Sequence, residues 1–580
     1  MPRIAIIRKE RCNPQGCGGY LCARVCPINM EGQDCIVKGP DTKPIINEEL
    51  CTGCGICPNR CPFDAIDIIN LPDKLEHPIH RYGRNGFHLY SLPTPVFGKV
   101  VGIVGRNGIG KSTAIKILAG IMKPNLGKDE EATWQKLVEH FKGKEAQTYF
   151  EAVRDGKITV SYKPQHVEMI PKTTTGTVKE LLKKVDERNA FDEVTKTLNL
   201  NKVLDRDIKQ VSGGELQRIA IAATALRKAN FYIFDEPTSY LDIKQRINVS
   251  KFIKELANEQ TAVLVVEHDL IILDYMTDLL HITYGKSGSY GIVSLPKQTR
   301  TGMNTYLEGY IRDENMRFRD KKIEFIARPP RPINKLILTE WKPMELKLGD
   351  FKLNVSEGKI GKSTIIGVVG ENGIGKTTFV KALAGEITTN EKLNNITVAY
   401  KPQYLQDESD EFVNSFLVEA ISKYQTQLIE PLELKHLLNK PLKTLSGGEL
   451  QRVYIAKCLS QEAELFLLDE PSAYLDIEQR LTLSKVVRDL ADQRDVSILI
   501  VDHDLLFLDY ISDKITVFEG EPAKQGSVTG PFEMEQGMNK FLTSLNITLR
   551  RDKESKRPRI NKEGSVLDRE QRSSGKLYYG

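Results

Sequence analysis

The chain has 580 residues, with 82 lysines and arginines against 77 aspartates and glutamates, a net charge of +5 and ten cysteines. A charge that small for this length gives no bulk argument for a polyanion partner. Forty per cent hydrophobic and 27% charged residues exclude a disordered or fibrous chain. No apolar run approaches the roughly 18–20 residues of a spanning helix, so a membrane-embedded class is excluded, and the length suits about three to five domains.

The first predicted domain, 1–75, is set by cysteines. Nine of the ten lie between Cys12 and Cys61. Cys51-x2-Cys54-x2-Cys57-x3-Cys61-Pro62 is the run of two-cluster ferredoxins, in which the fourth cysteine serves the other cluster. Cys12-x4-Cys17-x4-Cys22-x3-Cys26-Pro27 is a looser version with the same Cys-Pro ending. Eight thiolates then give two [4Fe–4S] clusters, one on Cys12, Cys17, Cys22 and Cys61, the other on Cys26, Cys51, Cys54 and Cys57. Zinc is the competing reading, since thiolates suit it too. Three closely spaced cysteines followed by Cys-Pro favour iron–sulfur. Cys35 and Cys458 are left over and read as inert. No secretory segment precedes Cys12, and the uneven cluster reads as metal ligation in a cytoplasmic protein rather than as disulfides. No flavin or nicotinamide fingerprint follows, so electron transfer and a structural role for the clusters both stay open.

The second predicted domain, 76–295, opens with Tyr82 and Phe87, candidates for stacking on a base. The run Val100–Val104 reads as a buried strand. It leads into Gly105-Arg106-Asn107-Gly108-Ile109-Gly110-Lys111-Ser112, followed by Thr113 and a predicted helix. Strand, glycine loop and helix together validate a phosphate loop. Its backbone N–H groups can close on phosphate oxygens, Lys111 can reach the β- and γ-phosphates, and Ser112 can ligate Mg²⁺. An insert at about 129–155 carries Trp134, Leu137, Val138, Phe141, Tyr149, Phe150 and Val153 at helical spacing, which predicts two short amphipathic helices around Gly143. Lys163-Pro164-Gln165 follows and recurs as Lys401-Pro402-Gln403. Phe231–Phe234 predicts a buried strand ending in Asp235, a Mg²⁺ ligand through its water shell, and Glu236, a general base for the attacking water. His268, after the strand Ala262–Val266, is placed to contact the γ-phosphate.

All of this recurs. Gly370-Glu371-Asn372-Gly373-Ile374-Gly375-Lys376-Thr377, then Thr378, repeats the phosphate loop, with Phe351 as its candidate aromatic. Gln403, Asp469, Glu470 and His503 repeat the other positions. Gly370 minus Gly105 is 265 and Gln403 minus Gln165 is 238, so the first copy holds 27 extra residues, the insert. The second copy is predicted over 335–545. A basic hinge is expected at 296–334, around Arg328-Pro329-Pro330-Arg331-Pro332. A basic tail is expected at 546–580, where Arg550–Lys562 holds seven Lys/Arg against two Asp/Glu. Both basic stretches suit contact with a polyanion.

Ser212-Gly213-Gly214-Glu215-Leu216-Gln217-Arg218 recurs as Ser446-Gly447-Gly448-Glu449-Leu450-Gln451-Arg452. These runs resemble the signature loop of the ATP-binding-cassette (ABC) family. The resemblance implies an α/β fold of twin P-loop ATPase domains facing head to tail, each ATP held between one phosphate loop and the other copy's signature loop. One site then adds Ser446 and Gly448 to Lys111, Ser112, Gln165, Asp235, Glu236 and His268. The other adds Ser212 and Gly214 to Lys376, Thr377, Gln403, Asp469, Glu470 and His503. Asp242 and Asp476, each in Tyr-Leu-Asp, resemble the loop that couples the two sites. Twin cassettes behind an α+β ferredoxin-like two-cluster head resemble the RNase L inhibitor family, the class-E ribosome-recycling ATPases of archaea and eukaryotes. That resemblance implies a cytoplasmic monomer that hydrolyses ATP, touches small-subunit rRNA and protein, and meets a peptide-release factor or Pelota. A transporter ATPase, a twin-cassette translation or ribosome-biogenesis factor, and an ATP-coupled iron–sulfur redox protein are the rivals.

Overall fold

The structure, a computed structural model, describes residues 3–47, 50–70, 78–143, 145–325, 336–387, 396–405 and 409–579. The chain packs as two compact units. One holds Met1–Ser239, Lys251–His268 and Met276–Lys322; the other holds Tyr240–Ser250, Asp269–Tyr275 and Ile323–Gly580.

The first unit begins with the cysteine-rich head. Strand Arg3–Ile7 pairs antiparallel with Ile66–Asn70, and Ile36–Lys38 pairs with Pro44–Ile46. Ala5, Ile7, Ile36, Ile46 and Ile66 are buried together with Cys26, Cys35 and Cys57. So small an apolar core is marginal by itself, and modules of this size usually need a metal or another staple.

Behind the head lies a nine-stranded sheet. Its main order runs His80–Arg81, His88–Leu89, Tyr290–Val293, Leu279–Lys286, Val100–Val104, Ala262–Val266, Phe231–Asp235, Val160–Lys163. The last five are parallel neighbours. Valine and isoleucine runs buried on both faces are what a parallel sheet needs. The phosphate loop leaves the C-terminal end of Val100–Val104, a central strand, where α/β sheets place their ligands.

The insert forms the predicted pair of helices, Trp134–His140 and Glu145–Arg154. The pair is rooted in the cassette. Tyr149 donates its hydroxyl to the Leu118 carbonyl, and its ring meets Phe231 at 6.0 Å. Phe141 stacks on Phe150 at 5.0 Å.

Much of the expected hinge is folded structure. Lys297–Gln298 pairs with Leu279–Leu280, and helix Thr299–Glu308 buries Met303, Tyr306 and Leu307. Arg319 then lies 4.8 Å over Tyr306. Basic composition concealed an apolar helix face. Arg328–Pro332 and the 75/76 boundary lie outside the described residues.

The second unit repeats the sheet in the same order: Met344–Leu348, Phe351–Val355, Gln525–Glu533, Lys514–Glu521, Ile365–Val369, Ser497–Val501, Leu465–Asp469, Val398–Lys401. The expected basic tail differs most from its prediction. Leu549–Arg551 pairs with Pro558–Ile560, helix Val566–Ser574 follows, and Arg557 is fully buried. Some of the charges that suggested contact with a polyanion are held in internal ion pairs, Arg559 and Arg557 on Asp274, and Arg572 further on pairs with Asp568.

Candidate ATP sites and cysteine cage

Each phosphate loop opens a helix, Lys111–Leu118 and Lys376–Leu383. Gly110 has φ +89°, and a Cβ there would stand 2.6 Å from the Phe87 ring, so glycine is required twice over. Both lysines are buried and fold back on the loop. Lys111 Nζ donates to the Gly105 and Arg106 carbonyls at 2.7 Å and reaches Asn107 Oδ1 at 3.5 Å. Lys376 Nζ donates to the Gly370 carbonyl at 3.0 Å and the Glu371 carbonyl at 2.6 Å. Their ammonium groups thus stand in the loop that phosphate would enter. Thr377 Oγ1 donates to Asp469 Oδ2 at 2.9 Å, which joins two predicted Mg²⁺ ligands. Ser112, Thr113 and Thr378 lie in the first turns of the same helices. Asn372 donates its backbone N–H to Asp242 Oδ2 at 2.9 Å, within the second unit, so the coupling loop of the first copy reaches the second phosphate loop, Gly370–Gly375. Gly373 and Gly375 are left-handed there.

The glutamates sit at the ends of fully buried strands, Phe231–Asp235 and Leu465–Asp469. Gln165 Nε2 donates to Glu236 Oε1 at 2.8 Å, and Gln403 Nε2 to Glu470 Oε1 at 2.7 Å. His268 Nε2 and His503 Nε2 each stand 3.4 Å from the same carboxylate oxygens. The two copies therefore assemble glutamine, glutamate and histidine alike, the glutamine on the glutamate rather than free. Burial opposes ionisation of Glu236, but His268, Lys111 and Lys163 hold its carboxyl down at about 2. Glu470 is likewise lowered against burial by His503 and Lys376. Burial and the neighbouring glutamate push Asp235 and Asp469 the other way, to about 6. Adjacent carboxyls pushed apart in this manner suit a division of work, with the glutamate ionised as a candidate base and the aspartate free to become a full anion once a cation arrives.

The sign follows from linkage. Asp235 and Asp469 bind protons more tightly folded than unfolded, where the value is near about 3.9. Stability from these two groups is therefore present at low pH and lost as pH rises through about 6. Mg²⁺–nucleotide affinity should run oppositely and weaken as pH falls through about 6, because the metal must displace those protons. Isothermal titration between pH 5 and 8, read for protons released, checks this. No release below pH 6 would refute it.

Several functional side chains escaped the sequence reading. Both glutamates adopt left-handed backbone, φ +48° at Glu236 and +47° at Glu470. Such a conformation persists only where surroundings impose it. Lys163 Nζ donates to the Asp235 and Glu236 carbonyls at 2.9 and 3.1 Å, and Gln217 Nε2 to the Glu236 carbonyl at 2.6 Å. Lys401 and Gln451 do the same for Asp469 and Glu470. Each signature helix thus helps fix the glutamate of its own copy. The repeated Lys-Pro-Gln and Glu-Leu-Gln were visible as repeats, but not their targets. Asp269 and Asp504, directly after the histidines, pair with Arg246 and Arg480 inside the second unit. Losing one such partner should misplace the histidine loop: Arg246→Ala is expected to lower kcat about 10-fold or more with a smaller change in KM, and an unchanged kcat would discount the pair.

Ser212 and Ser446 are the N-caps of 14-residue helices, each in a capping box with Glu215 or Glu449. Gly214 and Gly448 lie in the first turns, which present N–H groups and a positive helix end. Of the candidate aromatics, Phe87 and Phe351 occupy matching places, each ring against the last loop glycine, Gly110 or Gly375. Tyr82 is 45% exposed and its hydroxyl lies 3.2 Å from Thr113 Oγ1. Opposite Phe351 stands Leu348, the unpredicted counterpart of Tyr82. The exposed faces of Tyr82 and Leu348 therefore suit a base better than the two packed phenylalanines.

In the head, a small cavity partly open to solvent is lined by Cys26, Cys51, Cys54 and Cys57, the four thiols expected to share one cluster. Cys35 lines it too and is fully buried, so it is less remote from the chemistry than its leftover status suggested. Burial and then the neighbouring cysteines push Cys57 up to about 12. Burial lifts Cys22 to about 11, with Cys12, Cys17 and Cys61 adding to it, which places the other predicted set together. Thiols this reluctant to ionise fit a site completed by a cationic cluster. Among the described residues no three His, Cys, Asp or Glu side chains are gathered tightly enough for one ion. Brown protein with equimolar iron and sulfide is the expected analysis; zinc without sulfide would overturn it. Cys458 is buried in the second signature helix and is also pushed up to about 12.

Family models match residues 96–239 and 353–473 (ABC transporter), 44–67 (4Fe-4S binding domain) and 2–34 (possible Fer4-like domain in RNase L inhibitor). An uncharacterized ABC transporter ATP-binding protein of Methanocaldococcus jannaschii is 50% identical, with 100% of this chain and 97% of that protein covered. A model of ribosome-bound archaeal Pelota and ABCE1 holds a chain 52% identical that superposes with a TM-score of 0.94, covering 100% of this chain and 99% of that one. In the crystal structure of archaeal ribosomal stalk protein aP1 with the archaeal ribosome recycling factor aABCE1, the match is 50% identical with a TM-score of 0.82, over 87% of this chain and 99% of that one. No helix among the described residues is long and apolar enough to cross a membrane. Because the likeness runs unbroken from the cysteine head through both ATPase cassettes, the chain belongs to the RNase L inhibitor family, class E of the ABC ATPases.

Proposed function

We propose that this ATPase is a cytoplasmic ribosome recycling factor, which splits ribosomes into subunits after termination or stalling. The observation that carries the reading is the full-length likeness to the ABCE1 of a ribosome-bound Pelota complex. The partners are then small-subunit rRNA and protein, with a release factor or Pelota against the head of a monomer. The insert helices, rooted by Tyr149 and Phe150, offer their outer face to the small subunit.

Two ATP molecules bind at composite sites. Lys111, Ser112, Gln165, Asp235, Glu236 and His268 act with Ser446 and Gly448; Lys376, Thr377, Gln403, Asp469, Glu470 and His503 act with Ser212 and Gly214. The serine or threonine, the glutamine and the aspartate of each site would hold Mg²⁺, which would supply charge neutralisation to the phosphates. The lysine leaves its loop carbonyls for phosphate oxygens. Glu236 and Glu470, ionised at neutral pH, take a proton from the attacking water, and the histidines orient the γ-phosphate. The γ-phosphate favours a closed clamp by binding it far better than the open one. About 10⁴-fold discrimination moves a clamp from 1:99 to 99:1. Closure swings the head as a rigid wedge. Two [4Fe–4S] clusters, on the cysteine sets above, would stiffen that wedge by cross-linking its loops.

The test is subunit splitting followed by sucrose-gradient sedimentation with a release factor. Splitting with ATP, and retention on small subunits with a non-hydrolysable analogue, is expected. Absence of both, in protein that hydrolyses ATP and carries its iron, would reject ribosome recycling.

A further inference from the structure

The head grips the first phosphate loop from two sides, and among the described residues no equivalent grip is made on the second. Asp67, in head strand Ile66–Asn70, is 2% exposed. Arg8 Nε donates to its Oδ2 at 2.6 Å. Lys286 and Ser289 also donate to Asp67; in the first cassette Lys286 ends strand Leu279–Lys286 and Ser289 lies in the turn that leads to strand Tyr290–Val293. That turn touches the phosphate loop. Gly288 N–H donates to the Gly108 carbonyl at 2.9 Å, and a Cβ at Gly108 would stand 2.3 Å from Ser287 Oγ.

The second grip runs through Asn85. Its side chain holds both backbone groups of head residue Ile46, at 2.8 and 2.9 Å, and its carbonyl accepts the Ile7 N–H at 2.9 Å. Asn85 is 2% exposed, two residues before Phe87, whose ring lies on Gly110. The second copy keeps the turn contact, Ala523 N–H to the Gly373 carbonyl at 2.9 Å. There, however, among the described residues the turn's Lys524 pairs with Glu521 of its own hairpin.

We propose that the iron–sulfur head is built into the first nucleotide site as its sensor: Asp67 and Asn85 act as positioning residues that hold the first phosphate loop ready for nucleotide, and nucleotide there changes how firmly the head is seated. A loop held in its binding shape loses less freedom on binding, so loosening the grip weakens affinity. Coupling between two sites is reciprocal by linkage, and couplings of this kind usually span about 5- to 150-fold. The second site binds without reference to the head. The inference rests on nucleotide binding alone and stands or falls independently of any ribosome.

The experiment uses the full-length holoprotein with a fluorescent ATP analogue. The first site is read in a Lys376→Ala background and the second in a Lys111→Ala background. Asp67→Asn is expected to weaken the first site at least about fivefold and to leave the second unchanged. Equal effects on both sites, or none on the first, would overturn the proposal. Should Asp67→Asn bleach the clusters, Ser289→Ala decides instead, since Ser289 lies outside the head; the same selective loss is expected. Hydrogen exchange gives the converse: analogue should alter protection of 63–68 in the Lys376→Ala protein but not in the Lys111→Ala protein. Identical protection changes in both would count against the sensor.

Discussion

Protein with both Glu236→Gln and Glu470→Gln should bind ATP and hydrolyse it about 10²–10⁴-fold more slowly, about 3–5.5 kcal/mol in activation free energy. Glutamine keeps the volume and can still meet Gln165 or Gln403, which now bond the glutamates at 2.8 and 2.7 Å. It cannot accept the proton from water. Nucleotide should therefore stay bound in a closed clamp, seen as unhydrolysed ATP that survives gel filtration. A second consequence has a defined sign. Glu236 is the charge, after burial, that raises Asp235 to about 6. Removing it lowers Asp235, so the acid limit of Mg²⁺–nucleotide binding should move to lower pH in the variant. Wild-type phosphate release from the double variant would reject the base assignment in both copies.

The largest expected stability effect is at Asp274, on helix Leu270–Met276. Arg559 donates to Asp274 Oδ2 at 2.6 Å and to Oδ1 at 3.1 Å, and Arg557 to Oδ1 at 3.3 Å. The Arg557 side chain is 0% exposed and Asp274 4%. Asp274→Ala leaves two guanidinium groups short of their anion, one in full burial, at a cost of about 3–5 kcal/mol. Arg557 Nε and Nη1 already have no hydrogen-bond partner among the described residues, so this pair is costly as built. Arg557→Met should accordingly be near neutral, and Arg557→Met with Arg559→Met should rescue much of Asp274→Ala. Hydrogen exchange in the hairpin Leu549–Ile560 reads this locally, which matters in a chain too large for two-state unfolding. Equal protection in Asp274→Ala and wild type would show that the ion pairs contribute nothing.

Much of the nucleotide chemistry was legible because it is local. Gly105–Ser112, Asp235-Glu236 and Ser212–Glu215 are short runs whose roles follow from strand, loop and helix order. Their duplication raised each from a pattern to a constellation. The insert was legible from the 27-residue surplus of the first copy and from its helical spacing of apolar residues, and Leu137, Phe141, Tyr149 and Phe150 are all buried. Charged segments misled. Arg557 and Arg559 read as part of a basic tail suited to a polyanion, yet the fold delivers Asp274 to them from 283 and 285 residues away. Leu348 carried no signal, because only strand register sets it opposite Phe351.

The sequence by itself determined that this chain holds two phosphate loops, two carboxylate pairs and eight cysteines in two closely spaced runs, because glycine, lysine and thiol chemistry is written in short spacings. Tertiary structure decided what those groups touch. It set Lys163 and Gln217 on the backbone of Glu236, brought Asp67 of the head to the turn beside Gly108, and buried the basic end of the chain. The reason is physical: a hydrogen bond or ion pair depends on atoms meeting within about 3 Å. Meetings between residues a hundred positions apart are set by the packing of whole sheets, which no local pattern encodes.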